Sequence, residues 1–259
     1  MAVASGAQEI MKTMKEDLQR ALQKPEQERS WAMLIDIRKC TACKACTASC
    51  IVENATPPNV TYRKVYEVEC TVSNRPHVQP IGMPSNCMQC AKPPCVKAAN
   101  KVARGSFVKR PDGIVAIDYT KAKKRGAKLF KAVKKVCPYT AALYFDDGKS
   151  FVDAPDGPQT WEGRTTYEYN KLWTRDQIIG SPRKCHFCLH RLTIGELPAC
   201  VTTCIGKAMM FGDKNDPTSY VAQVLKDDAS SVLRIKERYK TEPRVYYLSE
   251  TPKECADQH

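Results

Sequence analysis

The sequence is short of long hydrophobic runs, glycine and histidine, and each shortage removes a class of function. Mean hydropathy is −0.46. No apolar stretch reaches the length needed to cross a bilayer, which excludes a transmembrane helix. The 12 glycines form neither a G-x-G-x-x-G fingerprint nor a phosphate loop, so nucleotide binding through a glycine cradle is excluded. Residues 1–30 lack the apolar core of a secretory signal, and Arg20 and Arg29 stand apart rather than as a twin-arginine pair. The expectation is a cytoplasmic protein, or one exported only with a partner that carries the signal. Of the four histidines, His186 and His190 flank a complete cysteine motif and read as supporting or surface groups rather than ligands. Nothing in the pattern calls for an acid, a base or a nucleophile.

What the chain has in excess is cysteine: 14 in 259 residues, bunched two to four residues apart. A disulfide framework would scatter them; bunched thiols read as metal ligands. The first bunch, Cys40-Thr-Ala-Cys43-Lys-Ala-Cys46-Thr-Ala-Ser-Cys50, is the C-x2-C-x2-C-x3-C run of iron–sulfur ferredoxins. In that run three thiolates hold one cluster and the fourth turns away to a second. Its complement is Cys185-His-Phe-Cys188 with Cys200-Val-Thr-Thr-Cys204. Cys50 then joins Cys185, Cys188 and Cys200, and Cys204 returns to Cys40, Cys43 and Cys46. A third bunch, Cys87-Met-Gln-Cys90-Ala-Lys-Pro-Pro-Cys95, supplies three ligands. Its fourth is Cys137, the only later cysteine followed by proline. Cys70 and Cys255 have no neighbouring thiol and read as free cysteines. A zinc-bound structural or nucleic-acid module also fits the paired thiols, although three thiols at steps of three followed by a fourth favour a cubane. A free-standing ferredoxin is the other alternative, against which stand the insertion and the terminal extensions.

Between the motifs, residues 7–29 form an amphipathic helix pattern interrupted at Pro25, with Ile10, Met14, Leu18 and Leu22 on one face. Residues 31–37 and 63–71 read as strands. Ser106–Lys109 and Ile114–Ile117 read as a hairpin around Arg110-Pro-Asp-Gly113. Lys121–Val136 reads as one helix with a stripe of Leu129, Phe130, Val133 and Val136. Residues 146–180 are an insertion with Trp161, Tyr167, Tyr169 and Trp173, suited equally to a subunit interface or a self-packed loop. The Asp216-Pro-Thr-Ser219 stretch can cap a helix reaching Leu225. Arg244–Leu248 reads as an extended segment along a partner or the protein's own core.

The order and spacing of the four motifs, with Pro182-Arg-Lys-Cys185-His-Phe-Cys188, Leu197-Pro-Ala-Cys200 and Ala208-Met-Met-Phe-Gly-Asp213, resemble the iron–sulfur β subunits of the dimethyl sulfoxide reductase family of molybdopterin oxidoreductases. The resemblance covers roughly residues 31–226. It implies an α+β fold of two bacterial-ferredoxin-like modules, one inserted in the other. An N-terminal helical extension (1–30) would precede an outer module (31–86 and 181–226), an inner module (87–145), the insertion (146–180) and a tail (227–259). It also implies [4Fe-4S] clusters, electron transfer, and a large partner subunit holding molybdenum or tungsten in a bis-pterin guanine dinucleotide. Family members usually hold a fourth cluster, whose ligands would fall at Ala99, Ala127, Phe130 and Val133. Four apolar residues there imply three clusters and a filled void. They also imply that no quinone-linked membrane subunit docks at that end. This loss, with Asp112–Asp118 and Pro243–Tyr247, most resembles the small subunits of pyrogallol-phloroglucinol transhydroxylase and resorcinol hydroxylase, whose complexes act on polyhydroxylated aromatics. Respiratory reductases of arsenate, tetrathionate or polysulfide are the alternative.

The formal charge is +13; twelve ligating thiolates and three cluster cores of charge +2 would reduce it to about +7. A protein partner and solvated surface are expected rather than nucleic acid. Lys44, Lys92 and Lys184, near ligands, would favour the reduced clusters unless they only solvate the surface.

Overall fold

The computed structural model describes residues 2–71, 78–139, 142–150 and 175–250. Trp161, Tyr167, Tyr169, Trp173 and Cys255 lie outside the described residues, as does the side chain of Cys70.

In chain order the elements are helix α1 (Ala2–Leu22), strand β1 (Trp31–Asp36), α2 (Ala45–Asn54), β2 (Lys64–Thr71), β3 (Val78–Ser85), α3 (Pro94–Val102), β4 (Phe107–Lys109), β5 (Val115–Ile117), α4 (Tyr119–Lys123), α5 (Gly126–Val136), β6 (Tyr144–Phe145), α6 (Arg175–Ile178), β7 (Pro182–Arg183), α7 (Leu189–Leu192), α8 (Ala199–Thr202), β8 (Met209–Asp213), α9 (Tyr220–Asp227), β9 (Val232–Leu233) and β10 (Val245–Leu248).

The central sheet has the order β8-β1-β10-β9 and joins distant parts of the chain. β1 pairs antiparallel with β8, Met33 opposite Phe211, and parallel with β10, Met33 opposite Val245. All six residues of β1 are buried, as expected of a strand flanked on both edges and covered on its faces. Helix α1 lies against β8 and seats Met14 and Leu18 in the core, with Ile10 and Leu22 packed at the margin. Its polar side is tied down as well. Asp17 accepts from the Tyr220 backbone N–H at 2.7 Å, capping α9 together with Ser219. Arg20 reaches Asp216 at 2.9 Å.

The segment expected to lie along a partner or the core is β10, inside the sheet. Just upstream, its backbone also holds the third cysteine bunch. Arg244 N–H donates to the Met88 carbonyl at 2.9 Å, and Ala91 and Lys92 donate to Glu242 and Thr241 at 2.8 and 3.0 Å. Local sequence could not show these long-range pairings.

Strands β2 and β3 form a hairpin whose Gly82 comes so close to the first cysteine bunch that a Cβ there would meet Cys40 Sγ at 2.9 Å. The expected single helix at Lys121–Val136 is two helices. Asp118 caps α4 by accepting from Lys121 N–H at 3.1 Å. The chain then breaks at Gly126, where φ is +29° and a Cβ would sit 2.6 Å from the Gly180 carbonyl oxygen. On α5, Leu129 and Val133 are buried and Phe130 half-buried, but Val136 is exposed and does not belong to the apolar stripe.

One buried ion pair locks the start of the insertion to the metal region. Arg183 Nη1 meets Asp146 at 2.8 Å with both side chains fully buried. Its Nε donates to the Tyr62 hydroxyl at 2.8 Å and Nη2 to the Asn54 carbonyl at 2.9 Å. Removing one partner of such a pair strands a charge. Asp146→Ala is expected to lower stability by about 3 kcal/mol in chemical denaturation. The exposed neighbour change Asp147→Ala should stay within about 0.5 kcal/mol; equal effects would show that the pair contributes nothing.

Candidate metal centres

The cysteine loops are wound in a common way. In three C-x2-C loops the residue before the second cysteine adopts a left-handed conformation without being glycine: Ala42 at φ 55°, Gln89 at 46° and Phe187 at 56°. Each costs of order 1 kcal/mol and persists only where its surroundings demand it. The winding turns backbone N–H groups onto sulfur. Phe187 N–H points at Cys185 Sγ at 3.4 Å and Ala208 N–H at Cys204 Sγ at 3.2 Å. Side-chain amides add to this, with Asn54 Nδ2 at 3.4 Å from Cys50 Sγ and Asn86 Nδ2 at 3.6 Å from Cys185 Sγ.

The twelve expected ligand cysteines fall into three neighbourhoods. Cys50, Cys185, Cys188 and Cys200 line one enclosed pocket with Met33, Asn54, Tyr62 and Arg63. Cys87, Cys90, Cys95 and Cys137 line another with Pro94, Val115, Pro138 and Lys184. Cys40 has Cys204 and Cys43 as like-charged neighbours and Cys46 has Cys204 and Cys40, a third and more open set in which Cys43 is exposed. Burial pushes the thiols up and mutual repulsion pushes them further. Cys46 rises to about 11, with Cys200, Cys204 and Cys40 as like-charged neighbours. Burial likewise carries Cys90 and Cys95 to about 12 and Cys137 and Cys185 to about 11. Thiols so placed keep their protons at neutral pH unless positive charge displaces them, which is what metal ligation supplies.

The repulsions also order the sets. Cys46 couples the set of Cys40 to the set of Cys50 through Cys200, and Cys185 couples the latter to Cys87. The set containing Cys50 therefore neighbours both of the others. Among the described residues no three His, Cys, Asp or Glu side chains converge tightly enough to grip a single metal ion. Thiols spread around a chamber instead suit a group as large as an iron–sulfur cubane, with one corner per thiolate.

Arg63, which sequence reading passed over as a strand residue, is the strongest electrostatic feature of the region. It is 2% exposed and lines the middle pocket. Nη2 lies 3.4 Å from Cys200 Sγ, and the buried Nη1 has no hydrogen-bond partner among the described residues. A buried donor with no protein acceptor beside four thiols fits a cluster sulfide as its acceptor. Burial alone would lower its pKa, but the thiols of Cys200, Cys46 and Cys185 overcome that and raise it. Lys184 plays a similar part for the third set. It is buried, its Nζ donates to the carbonyls of Val115 and Cys185, and its charge opposes the burial that raises Cys90, Cys95 and Cys137. Lys44 and Lys92 are different. They are exposed and paired with Glu67 and Glu242 at 2.8 and 2.6 Å, so water screens them.

Both histidines are buried rather than at the surface. His186 Nδ1 accepts from Leu189 N–H at 2.9 Å, and His190 Nε2 meets Glu53 Oε1 at 2.6 Å while Arg191 holds Glu53 Oε2 at 3.1 Å. Glu53, three residues past Cys50, thus fixes the helix carrying Cys50 to the loop carrying Cys188; only the fold brings it there.

At the positions implied for a fourth cluster, Ala99 and Val133 are fully buried in one apolar cluster with Leu129, Phe107 and Leu143. Phe130 packs at its edge, its ring centroid 5.6 Å from that of Phe145. Ala127 is exposed and takes no part in the filling, because it falls outside the face of α5 that buries Leu129 and Val133.

The family described as 4Fe-4S dicluster domain matches residues 78–156 and 162–214. The chain is 43% identical over 244 residues to a subunit of the selenate reductase from Mesobacillus selenatarsenatis, covering 93% of this chain and 79% of that one. It is 33% identical to a subunit of the tetrathionate reductase from Salmonella typhimurium, covering 84% and 72%. It is 29% identical to an iron-sulfur subunit of an Hdr-like menaquinol oxidoreductase from Archaeoglobus fulgidus, covering 87% of both.

Arg63→Gln removes a buried positive charge between two thiol sets and is expected to make the midpoint potential of at least one flanking centre more negative, with bound iron unchanged. Redox titration followed by electron paramagnetic resonance reads the shift. Unaltered potentials would reduce Arg63 to a packing role.

Proposed function

From the premise that this chain belongs to the 4Fe-4S iron–sulfur, electron-transfer subunits of the molybdopterin oxidoreductases, which are not catalytic on their own, we propose that it holds three [4Fe-4S] clusters in a row. It passes single electrons to or from a large catalytic subunit that carries molybdenum or tungsten in a bis-pterin guanine dinucleotide. The observation that carries this reading is the sorting of twelve cysteines into three sets of four, two of them around enclosed pockets.

The first cluster is assigned to Cys40, Cys43, Cys46 and Cys204, the second to Cys50, Cys185, Cys188 and Cys200, and the third to Cys87, Cys90, Cys95 and Cys137. Each cluster, when bound, supplies a one-electron site. The chain's own residues do the rest: wound loops direct N–H groups at sulfur, Arg63 and Lys184 offset thiolate charge, and the apolar cluster around Leu129 and Val133 keeps water from the third set's flank. The two-module reading has an outer unit of 31–86 and 181–226 around an inner unit of 87–145. It is supported by the way β1 pairs with β8, carrying the first and last motifs together.

For the substrate, the relatives favour the respiratory type of complex. Two of them are subunits of selenate and tetrathionate reductases by name. Reduction of an oxyanion of this kind is therefore the better reading, ahead of hydroxylation of polyhydroxylated aromatics, which rests on the apolar fourth position and a few motif phrases. Exclusion of a quinone-linked partner is not carried forward, because one relative is named a menaquinol oxidoreductase subunit. Among the described residues no helix is long and apolar enough to cross a membrane; a cytoplasmic location, or export with a signal-bearing partner, remains the proposal.

Anaerobically purified protein is expected to contain twelve iron atoms and twelve acid-labile sulfides per chain, three cubanes' worth. Cys137→Ala should disturb the third centre alone. Sixteen irons, or stoichiometric zinc without sulfide, would overturn the assignment. The co-purified complex, supplied with reduced viologen, should reduce selenate, tetrathionate or arsenate; turnover of resorcinol or pyrogallol alone would restore the aromatic reading.

A further inference from the structure

The net charge of the chain is concentrated in one stretch. Residues 92–136 contain 14 Lys and Arg against two Asp, so twelve of the thirteen net positive charges fall within 45 residues and the remainder is nearly neutral. The stretch runs from the third cysteine bunch through α3, the β4–β5 hairpin, α4 and α5 to Cys137. It therefore surrounds one end of the row of thiol sets. On α5, Lys128, Lys131 and Lys135 are exposed while Leu129 and Val133 are buried, so folding turns this charge to solvent; Lys134 is half-buried and donates to the Leu143 carbonyl at 3.3 Å.

At the same end a surface cleft of about 280 Å³ is lined by Lys92, Lys97, Lys240, Val136 and Tyr239, with Pro94 and Pro138 at its floor. Pro94 and Pro138 also line the chamber of Cys87, Cys90, Cys95 and Cys137. One layer of side chains thus separates the cleft from the third set. Tyr239 is 53% exposed and Val136 39%, and the Arg238 guanidinium sits 5.2 Å from the Tyr239 ring centroid. An exposed aromatic and an aliphatic side chain ringed by lysines have the make-up of an interface centre with a charged rim. Lys92 is paired with Glu242 at 2.6 Å, whereas Lys97 and Lys240 are exposed and leave their charge available to a partner.

We propose that this cleft docks an acidic, soluble one-electron carrier protein. The inference rests on the reading that the third set holds a cluster, and it deepens that reading by naming the second partner of the wire. A row of centres has two ends, and a catalytic subunit occupies one of them. At the other end Ala99 and Val133, two of the positions that would extend the row, are apolar and buried, so the wire terminates at the third set, beneath the cleft. Carboxylates on a protruding loop of the carrier match the lysine rim, and the concave shape with Tyr239 in it suits such a loop better than the flat surface of a bilayer. When the partners dock, one electron passes between the carrier and the third centre. One is oxidised as the other is reduced, and no proton or group moves.

The test uses the purified complex and flavodoxin, an acidic flavin protein, as the probe. Calorimetric titration at low ionic strength should show binding that weakens steeply with salt, as expected for charge steering across a Debye length of about 10 Å at 0.1 M. The double change Lys97→Glu and Lys240→Glu is expected to weaken binding at least about tenfold, whereas Lys12→Glu on the far helix α1 should leave it unchanged. Equal binding by both variants overturns the proposal. So does loss of the large subunit from the double variant, which would make the cleft the heterodimer interface. Preferential sedimentation of the wild-type complex with phosphatidylglycerol vesicles, without flavodoxin binding, overturns it in favour of a membrane surface. The iron and sulfide content of each preparation is read in parallel. A missing third cluster with intact flavodoxin binding faults the cluster assignment, and a full complement of iron without binding faults the docking site.

Discussion

Twelve thiols drawn from both ends and the middle of one chain have to be held next to one another, largely out of water. Everything else in the structure answers to that constraint. Dehydration and mutual repulsion drive the buried thiols upward, as Cys46, Cys90 and Cys95 show, so the sets are unfavourable by themselves. They persist because the scaffold around them is independently anchored. A fully buried strand β1 enters the first bunch, and β8 leaves the last one in register with it. The tail pairs with β1 through β10 and, from Thr241 to Arg244, with the backbone of the third bunch. Cys50 from the first motif and Cys185, Cys188 and Cys200 from the last line one pocket, so the thiol chamber spans the same two halves of the chain as the sheet does.

Buried cations are the second element of the arrangement. Arg63 between the first two sets and Lys184 beside the third are placed where solvent cannot screen them, so each acts at short range in a medium of low polarizability. Lys44 and Lys92, equally near in sequence to ligands, are paired at the surface. Proximity along the chain is thus a poor guide to electrostatic influence, since burial decides it. The Glu53, His190 and Arg191 group follows the same logic: a buried carboxylate is tolerated because two cationic or donor groups satisfy it.

The inner part of the chain combines two opposite surfaces on one helix. α5 turns Leu129 and Val133 into an apolar cluster with Ala99 and Phe107, and exposes Lys128, Lys131 and Lys135. The same segment thereby places charge on the surface next to the pocket of Cys87, Cys90, Cys95 and Cys137. Charge concentration of this kind governs encounter and orientation more than tight affinity, which suits exchange with a partner that must come and go.

Much of the metal chemistry was legible in the sequence, because ligand spacing along the chain is itself the geometry of a loop around a cluster. The C-x2-C-x2-C-x3-C run and its complement announce 4Fe-4S binding, and Cys137 lines one pocket with Cys87, Cys90 and Cys95. Strands within 31–37 and 63–71, the hairpin before Ile117 and a helix cap within Asp216–Ser219 were readable for the same reason: they depend on neighbours within a few residues. What only the tertiary structure decided are the features that depend on distant ones. Gly126 breaks a helix because the Gly180 carbonyl lies against it. Ala127 and Val136 point outward in spite of their apolar character. Arg63 becomes the cation shared by two thiol sets because the hairpin that follows it folds over Cys40. Short-range order follows from residue type and spacing, whereas burial, and with it the strength of every charge, is a property of the assembled chain.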